Sequence, residues 1–140
     1  MPKDEKYALS LCDAILGETS KRQHKFPFLT GDTGVKLPVD AYYEKLELVI
    51  EYREWQHSKP TPFFDRRLTV TMEHGVHVDR ARQRAIYDQR RREILPQHGI
   101  RLLEVNYSDF DHNSKGKIKR HPENDTATLS RLLYEFCSAS

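Results

Sequence analysis

The sequence predicts an α/β domain in which helices flank a mixed sheet. Three patterns support this: helical spacing of apolar residues near both ends of the chain, two runs of alternating apolar and polar residues in its middle, and a long glycine-free segment followed by a short apolar run. With 140 residues the chain is long enough for one domain with its own core. We therefore treat residues 1–140 as one unit.

Three helices are predicted. Residues 4–17 carry apolar side chains every three to four positions, and Gly17 can end that helix. Residues 77–98 are rich in helix formers and reach Pro96 and Gly99 at their end. A closing helix is indicated by the spacing of apolar residues between Leu129 and Phe136. The apolar run at residues 100–105, after the long helix, is typical of a buried central strand reached by a βαβ-like return.

Strands are predicted at residues 26–29, 36–42, 46–53 and 68–72. In residues 36–42, alternation places Leu37, Val39 and Ala41 on one face and Asp40 on the other. In residues 46–53, alternation places Glu51 on the same face as Glu47, Val49 and Arg53. Residues 58–75 are interpreted as an inserted excursion, with Pro60 and Pro62 in its loop, although the last of these strands falls within it.

The short connection between the second and third strands predicts an antiparallel hairpin. With a two-residue loop, Tyr43 would pair with Leu46 and Asp40 would lie opposite Val49. Asp40 and Glu51 would then be diagonal neighbours, roughly 7 to 8 Å apart at the backbone. From there, two carboxylates can converge on one ion.

Asp40, Glu51 and Arg53 could together bind a metal ion against a phosphate. Carboxylate oxygens suit Mg²⁺ or Mn²⁺, and such an ion can polarise a phosphate and activate a bound water. A neighbouring cation would stabilise the charge that develops during attack. Gln56 and His57 follow directly and could orient water or transfer protons. The alternative is an ordinary solvated sheet face.

The segments that carry these residues resemble the PD-(D/E)XK nuclease superfamily, in particular very-short-patch-repair-like and other small restriction-endonuclease-like domains. The similarity spans residues 8–109. Its motifs are Pro38-Val39-Asp40, Leu48-Val49-Ile50-Glu51-Tyr52-Arg53, Gln56-His57, Tyr87-Asp88-Gln89-Arg90-Arg91 and Gly99-Ile100-Arg101-Leu102-Leu103-Glu104-Val105.

The resemblance implies a restriction-endonuclease-like αβββαβ core and Mg²⁺-dependent hydrolysis of DNA phosphodiester bonds by an endonuclease. It implies metal ligands at Asp40, at Glu51 and at the backbone carbonyl of Tyr52, with Glu18 as a possible further ligand. Arg53 stands where the family most often has lysine, and a guanidinium stays protonated and cannot act as a general base. A catalytically inactive nuclease-fold module that binds nucleic acid or a protein partner therefore remains the alternative.

DNA is the expected partner. Arg80, Arg84, Tyr87 and Arg91 fall within one stripe of the long helix, which could follow phosphates or be a solvated face. The polar segment at residues 111–126 contains further cations, among them Lys117, Lys119 and Arg120. Symmetric cleavage of a duplex would call for a homodimer, although no interface is evident from the sequence.

Several other classes lack support in the sequence. No run approaches the ~20 apolar residues of a membrane span, and residues 1–7 have no apolar signal segment, so a cytoplasmic protein is expected. Two cysteines make no disulfide framework, and reduced, packed thiols are expected. His57, His74 and His77 lack a fourth ligand for zinc. Phosphate-binding glycine loops and serine-hydrolase elbows are absent from the sequence.

Overall fold

The computed structural model describes residues 2–55, 68–71 and 77–138 of the chain. Short 3₁₀ turns at Glu44–Leu46 and Tyr107–Asp109 supplement three helices and six strands. In chain order these are α1 (Lys3–Leu16), β1 (Lys21–Thr30), β2 (Lys36–Tyr43), β3 (Leu48–Arg53), β4 (Leu68–Thr71), β5 (His77–Asp79), α2 (Arg80–Gln97), β6 (Arg101–Asn106) and α3 (Pro122–Ser138).

The main sheet has four strands in the order β1-β2-β3-β6. The first three are antiparallel neighbours, and β6 returns parallel to β3 after α2. This βαβ crossover is the usual way to bring two parallel strands together. The predicted α/β class, the mixed sheet and the flanking helices are confirmed. Strands β4 and β5 form a separate antiparallel pair, and β4 falls within the predicted excursion.

Helices cover the sheet on both faces. On one face, α1 and α3 pack on alternate residues of β3, Leu48 and Ile50, in what we call the α1–α3 core. On the other, Leu95 of α2 packs with Val49 and with residues of β1 and β2, in what we call the α2 core. Because neighbouring β3 residues belong to different cores, both faces of this strand are buried. Each face can therefore hold a polar group away from water.

Some predicted elements differ from the observed ones. Strand β1 has ten residues, where only residues 26–29 were predicted, because its polar first half carries no apolar alternation. Helix α2 begins at Arg80, because His77–Asp79 pairs with β4. The prediction that the last strand is central is wrong, since β6 pairs only with β3 within the described sheet. Its apolar run reflects two covered faces, with Leu102 against the α2 core and Leu103 against the α1–α3 core.

The hairpin between β2 and β3 has a longer loop than predicted. The 3₁₀ turn and Glu47, whose φ is 49°, connect the strands, so Tyr43 pairs with Leu48 rather than with Leu46. The register thus differs by two residues. Since side chains alternate with a period of two, this shift keeps every residue on its face. Continued by one residue past the last pair, Ala41 with Ile50, it brings Asp40 directly opposite Glu51 instead of diagonal to it.

Strand β2 changes face at Asp40. Leu37 and Val39 pack in the α2 core, whereas Ala41 packs in the α1–α3 core. The prediction that these three share a face is therefore wrong. Across from Asp40, Gln23 adopts a left-handed φ of 49°, and the Asp40 amide bonds a side chain rather than a strand carbonyl. At this local distortion the Asp40 carboxylate accepts a hydrogen bond from the Tyr52 amide of β3.

Candidate metal and active site

The carboxylates of Asp40 and Glu51 meet where β2 and β3 stop pairing through their backbones. The Asp40 amide donates to Oε2 of Glu51 at 2.6 Å, and the Tyr52 amide donates to Oδ2 of Asp40 at 2.8 Å. Each side chain thus accepts a backbone hydrogen bond from the opposite strand, in place of the missing ladder bonds. These bonds fix both carboxylates at one wall of a cavity of about 280 Å³.

Glu51 is an acid in an environment that disfavours its charge. Its side chain is 3% exposed, and burial followed by the charge of Asp40 raises its pKa to about 8. The hydrogen bond from the Asp40 amide and the charge of Arg91, whose Nε lies 3.4 Å from Oε1, act in the opposite direction. The net shift of the pKa is upward, so these effects do not offset burial and the charge of Asp40.

Arg53 lines the same cavity as Glu51, but its guanidinium is engaged elsewhere. NH1 donates to Asp88 and NH2 to Glu104, each at 2.8 Å. Burial lowers the pKa of Arg53, but the hydrogen bond to Glu104 and the charges of Asp88, Glu51 and Glu104 outweigh it and raise the pKa overall. Arg53 therefore stays cationic and is held in place by two carboxylates from α2 and β6.

The structure adds Glu5, an acid that the sequence analysis did not predict for the site. It is 7% exposed, in the first turn of α1, and burial followed by the charges of Asp40 and Glu54 raises its pKa to about 7. The Gln23 side-chain amide donates to both Glu5 and Asp40, at 3.2 and 3.3 Å. The sequence feature that could have identified Glu5 is its position on the buried stripe of α1, one turn before Ala8.

Glu18, predicted as a possible further ligand, lies elsewhere. Its Oε1 accepts a long hydrogen bond of 3.4 Å from the Lys45 amide, and it lines a separate cavity with Lys21 and Glu44. The left-handed Gly17 ends α1 and directs the chain into β1 there. The acid of α1 that lies near Asp40 is Glu5, at the opposite end of the helix, and Gln23 links the two.

The predicted stripe on α2 is only partly directed at the cavity. Arg84, Tyr87 and Arg91 line it, whereas Arg80 does not. Arg91 points inward, and its Nε and NH2 donate to the Pro38 carbonyl at 3.1 and 3.0 Å. It is 13% exposed, so its role here is to hold β2 and Glu51 rather than to present a free surface cation. The Tyr87 hydroxyl packs over Gly31 and donates to Asp32.

The cations of the predicted basic segment, residues 111–126, also lie only partly at a cavity. Lys117 and Arg120 line a neighbouring cavity beside Trp55, whereas Lys119 lies outside that lining. The segment folds back on itself through a bridge between His112 and Ile118. Two of the three predicted cations are thus brought to one place, next to the carboxylates.

Other predicted site residues fall outside this geometry. Gln56 and His57 lie outside the described residues, as does His74 of the zinc alternative. Among the described residues no group of three or more His, Cys, Asp or Glu side chains is arranged to hold a metal ion. The Tyr52 carbonyl as a ligand stays a prediction. Cys12 is buried, but Cys137 is exposed, contrary to the expected packing of both thiols.

Comparisons with models of protein families, with curated proteins and with solved structures each found no match for this chain. Within the described residues, the helices are too short or too polar to span a bilayer.

Proposed function

We propose that this protein is a metal-dependent endonuclease with a restriction-endonuclease-like core, which hydrolyses phosphodiester bonds of DNA. The observation that carries the proposal is the junction at Asp40 and Glu51. Two carboxylates from adjacent strands are locked together by each other's backbone, partly buried, and open to a cavity that arginines also line. A solvated sheet face would have neither the reciprocal bonds nor the burial of Glu51.

The order of the elements supports the same class. Apart from the separate β4–β5 pair between β3 and α2 and the closing α3, a helix, three antiparallel strands, a helix and a parallel strand occur in the order of the αβββαβ core that the motif resemblance implies. Asp40 and Glu51 lie on the second and third of these strands, where the resemblance places the acidic residues. Position in the fold and chemistry of the residues thus agree.

The donor set fits a hard divalent cation. Asp40 and Glu51 offer four carboxylate oxygens, and each carboxylate oxygen can accept more than one contact. The raised pKa of Glu51 marks a place where added positive charge would be favourable. A bound Mg²⁺ or Mn²⁺ would polarise a phosphate oxygen and acidify a water. Glu5 could contribute through a bound water, since Gln23 already links it to Asp40.

Arg53 and Arg91 serve as electrostatic and positioning groups in this proposal. Arg91 touches Glu51 and the Pro38 carbonyl, so it fixes the strand that carries Asp40. Arg53 adds permanent positive charge at the cavity wall, where a developing phosphorane would be stabilised. Neither guanidinium can remove a proton from water.

A second candidate is a nuclease-fold module that binds nucleic acid without turnover. The observation in its favour is at Arg53: an arginine leaves no titratable base in the lysine position of the resemblance, and its guanidinium is engaged by Asp88 and Glu104.

The experiment is nicking of supercoiled plasmid with Mg²⁺ or Mn²⁺, comparing the native protein with Asp40→Asn and Glu51→Gln. Glu135→Gln is the matched control, because Glu135 is an exposed carboxylate on α3 outside the cavity. We expect the native protein and the Glu135→Gln control to nick the plasmid. The nicking rates of Asp40→Asn and Glu51→Gln should be at least a hundredfold lower. Plasmid binding without nicking by the native protein would favour the binding module.

A further inference from the structure

A second cavity, of about 470 Å³, adjoins the candidate active site. It shares part of its lining with the carboxylate cavity, so the two are direct neighbours. The shared residues are Pro2, Tyr52 and Glu54. A chain bound across Asp40 and Glu51 in the direction of Glu54 would therefore approach the second cavity.

The second cavity has the opposite charge balance. Four cations line it against two carboxylates, Asp4 and Glu54. The cations are Lys3, Lys115, Lys117 and Arg120. NH2 of Arg120 lies 3.9 Å from Oδ1 of Asp4, and the Arg120 guanidinium lies over the ring of Tyr7. The three lysines are exposed and form no ion pair within the described residues, so their charge is available to a ligand.

The loop that presents the cations is held by its own hydrogen bonds. Oδ1 of Asn113 accepts the amides of Lys115 and Lys117 at 2.8 and 3.0 Å, and the Asn113 amide donates to the Lys117 carbonyl. The Ile118 amide donates to Asp4 of α1 at 3.0 Å. The lysines therefore extend from a fixed backbone, which lowers the entropic cost of ligand binding.

Trp55 forms the wall against which this loop packs. A Cβ at Gly116, whose φ is 75°, would lie 2.0 Å from the Trp55 Cβ, so only glycine allows this approach. Trp55 is 36% exposed. An indole at the edge of a cationic cavity suits a nucleobase beside its phosphate.

Tyr52, which lines the cavity, carries a donor without a partner. Its hydroxyl is buried and has no hydrogen-bond partner among the described residues, and Tyr52 is only 5% exposed. A buried phenol normally finds an acceptor. A phosphate seated deeply enough to reach this hydroxyl would supply one.

We propose that this cavity binds a phosphate of the substrate strand next to the phosphodiester held at Asp40 and Glu51. The inference rests on the proposed function, which it deepens by adding a second contact on the same strand. Such a phosphate is either internal to the strand or terminal. The chemistry is shared, namely a phosphate monoanion or dianion met by Lys3, Lys115 and Lys117.

Trp55 provides a readout that needs no cleavage. It is the single tryptophan of the chain. Its fluorescence would be titrated with a single-stranded oligonucleotide in EDTA, using the native protein and two matched variants. Lys117→Gln removes a lining cation, and Lys119→Gln removes an equivalent exposed cation two residues away, outside the lining.

We expect the Trp55 signal to change on binding, Lys117→Gln to weaken binding about fivefold and to lower the salt dependence by about one counterion, and Lys119→Gln to bind as the native protein does. Lys115→Gln should repeat the effect of Lys117→Gln. Equal weakening by Lys117→Gln and Lys119→Gln, or binding without a Trp55 signal, overturns the proposal.

A second pair of oligonucleotides, with and without a 5′-phosphate, separates the two sources. Tighter binding of the phosphorylated one by the native protein but not by Lys117→Gln assigns a terminal phosphate. Equal affinities, both reduced in the variant, assign an internal one. The two proposals can fail separately. If the nuclease proposal is wrong, no nicking is seen but the Trp55 response in EDTA remains. Failure of the cavity proposal leaves nicking intact and removes the difference between the variants.

Discussion

Replacing Glu51 by glutamine is expected to stabilise the metal-free protein at alkaline pH. A glutamine keeps an acceptor for the Asp40 amide but removes the charge that burial and Asp40 disfavour. The pKa of Glu51 rises from 4.5 to about 8 on folding, so the folded state holds the proton more tightly between these values. The free energy of unfolding of the native protein therefore falls as the pH rises from about 4.5 to about 8.

The size of the effect follows from that interval. At about 1.4 kcal/mol for each pH unit, the penalty approaches about 5 kcal/mol above pH 8. We expect urea denaturation in EDTA to give Glu51→Gln an advantage of several kcal/mol at pH 8.5 and almost none at pH 4.5. Asp40→Asn should recover a smaller part, because Asp40 is the second cause after burial. Glu135→Gln serves as the control.

Parallel stability curves for the native protein and Glu51→Gln between pH 4.5 and 8.5 would refute this reasoning. They would mean that the Glu51 carboxylate is solvated in the folded protein, or that a tightly held cation already balances it. The two are separable by metal analysis of the EDTA-treated protein, because only the second case leaves a bound cation in it.

Three further outcomes are expected. When the Mg²⁺ concentration is ten times the dissociation constant, the ion should stabilise the native protein by about 1.4 kcal/mol. Calorimetry should then show a rise of about 5 °C in melting temperature, and Asp40→Asn should abolish this rise. Gly116→Ala should cost at least about 2 kcal/mol and change the Trp55 emission, because its Cβ would overlap the indole; unchanged stability and emission would show that the loop is not seated there. Tyr87→Phe should cost about 1 kcal/mol by loss of its bond to Asp32, measured by urea denaturation, whereas a neutral result would mean that water replaces the hydroxyl.

The sequence predicted which strands carry Asp40 and Glu51 better than it predicted their exact geometry. Alternation and the short connection placed Asp40 and Glu51 on adjacent strands, and period two protected that inference from a register error of two residues. The face change at Asp40 escaped prediction, because a left-handed Gln23 and a side-chain bond to a backbone amide leave no trace in apolar alternation. Glu5 was missed although it lies on an apolar stripe, because acids in a first helical turn are usually explained by the helix dipole.

The two adjoining cavities suggest why binding and chemistry would need different cations. The carboxylate cavity is lined by five acids and three arginines, and it becomes net negative and unfavourable for phosphate once Glu5 and Glu51, whose pKa values are raised to about 7 and about 8, ionise. The arginines do not correct this, since Arg53 is bonded to Asp88 and Glu104 and Arg91 is turned to Pro38 and Glu51. A divalent ion at Asp40 would reverse the local charge only there, while the lysine-lined cavity attracts phosphate without a metal. Strand binding in EDTA with cleavage only after Mg²⁺ is added is therefore the order of events that this charge distribution favours.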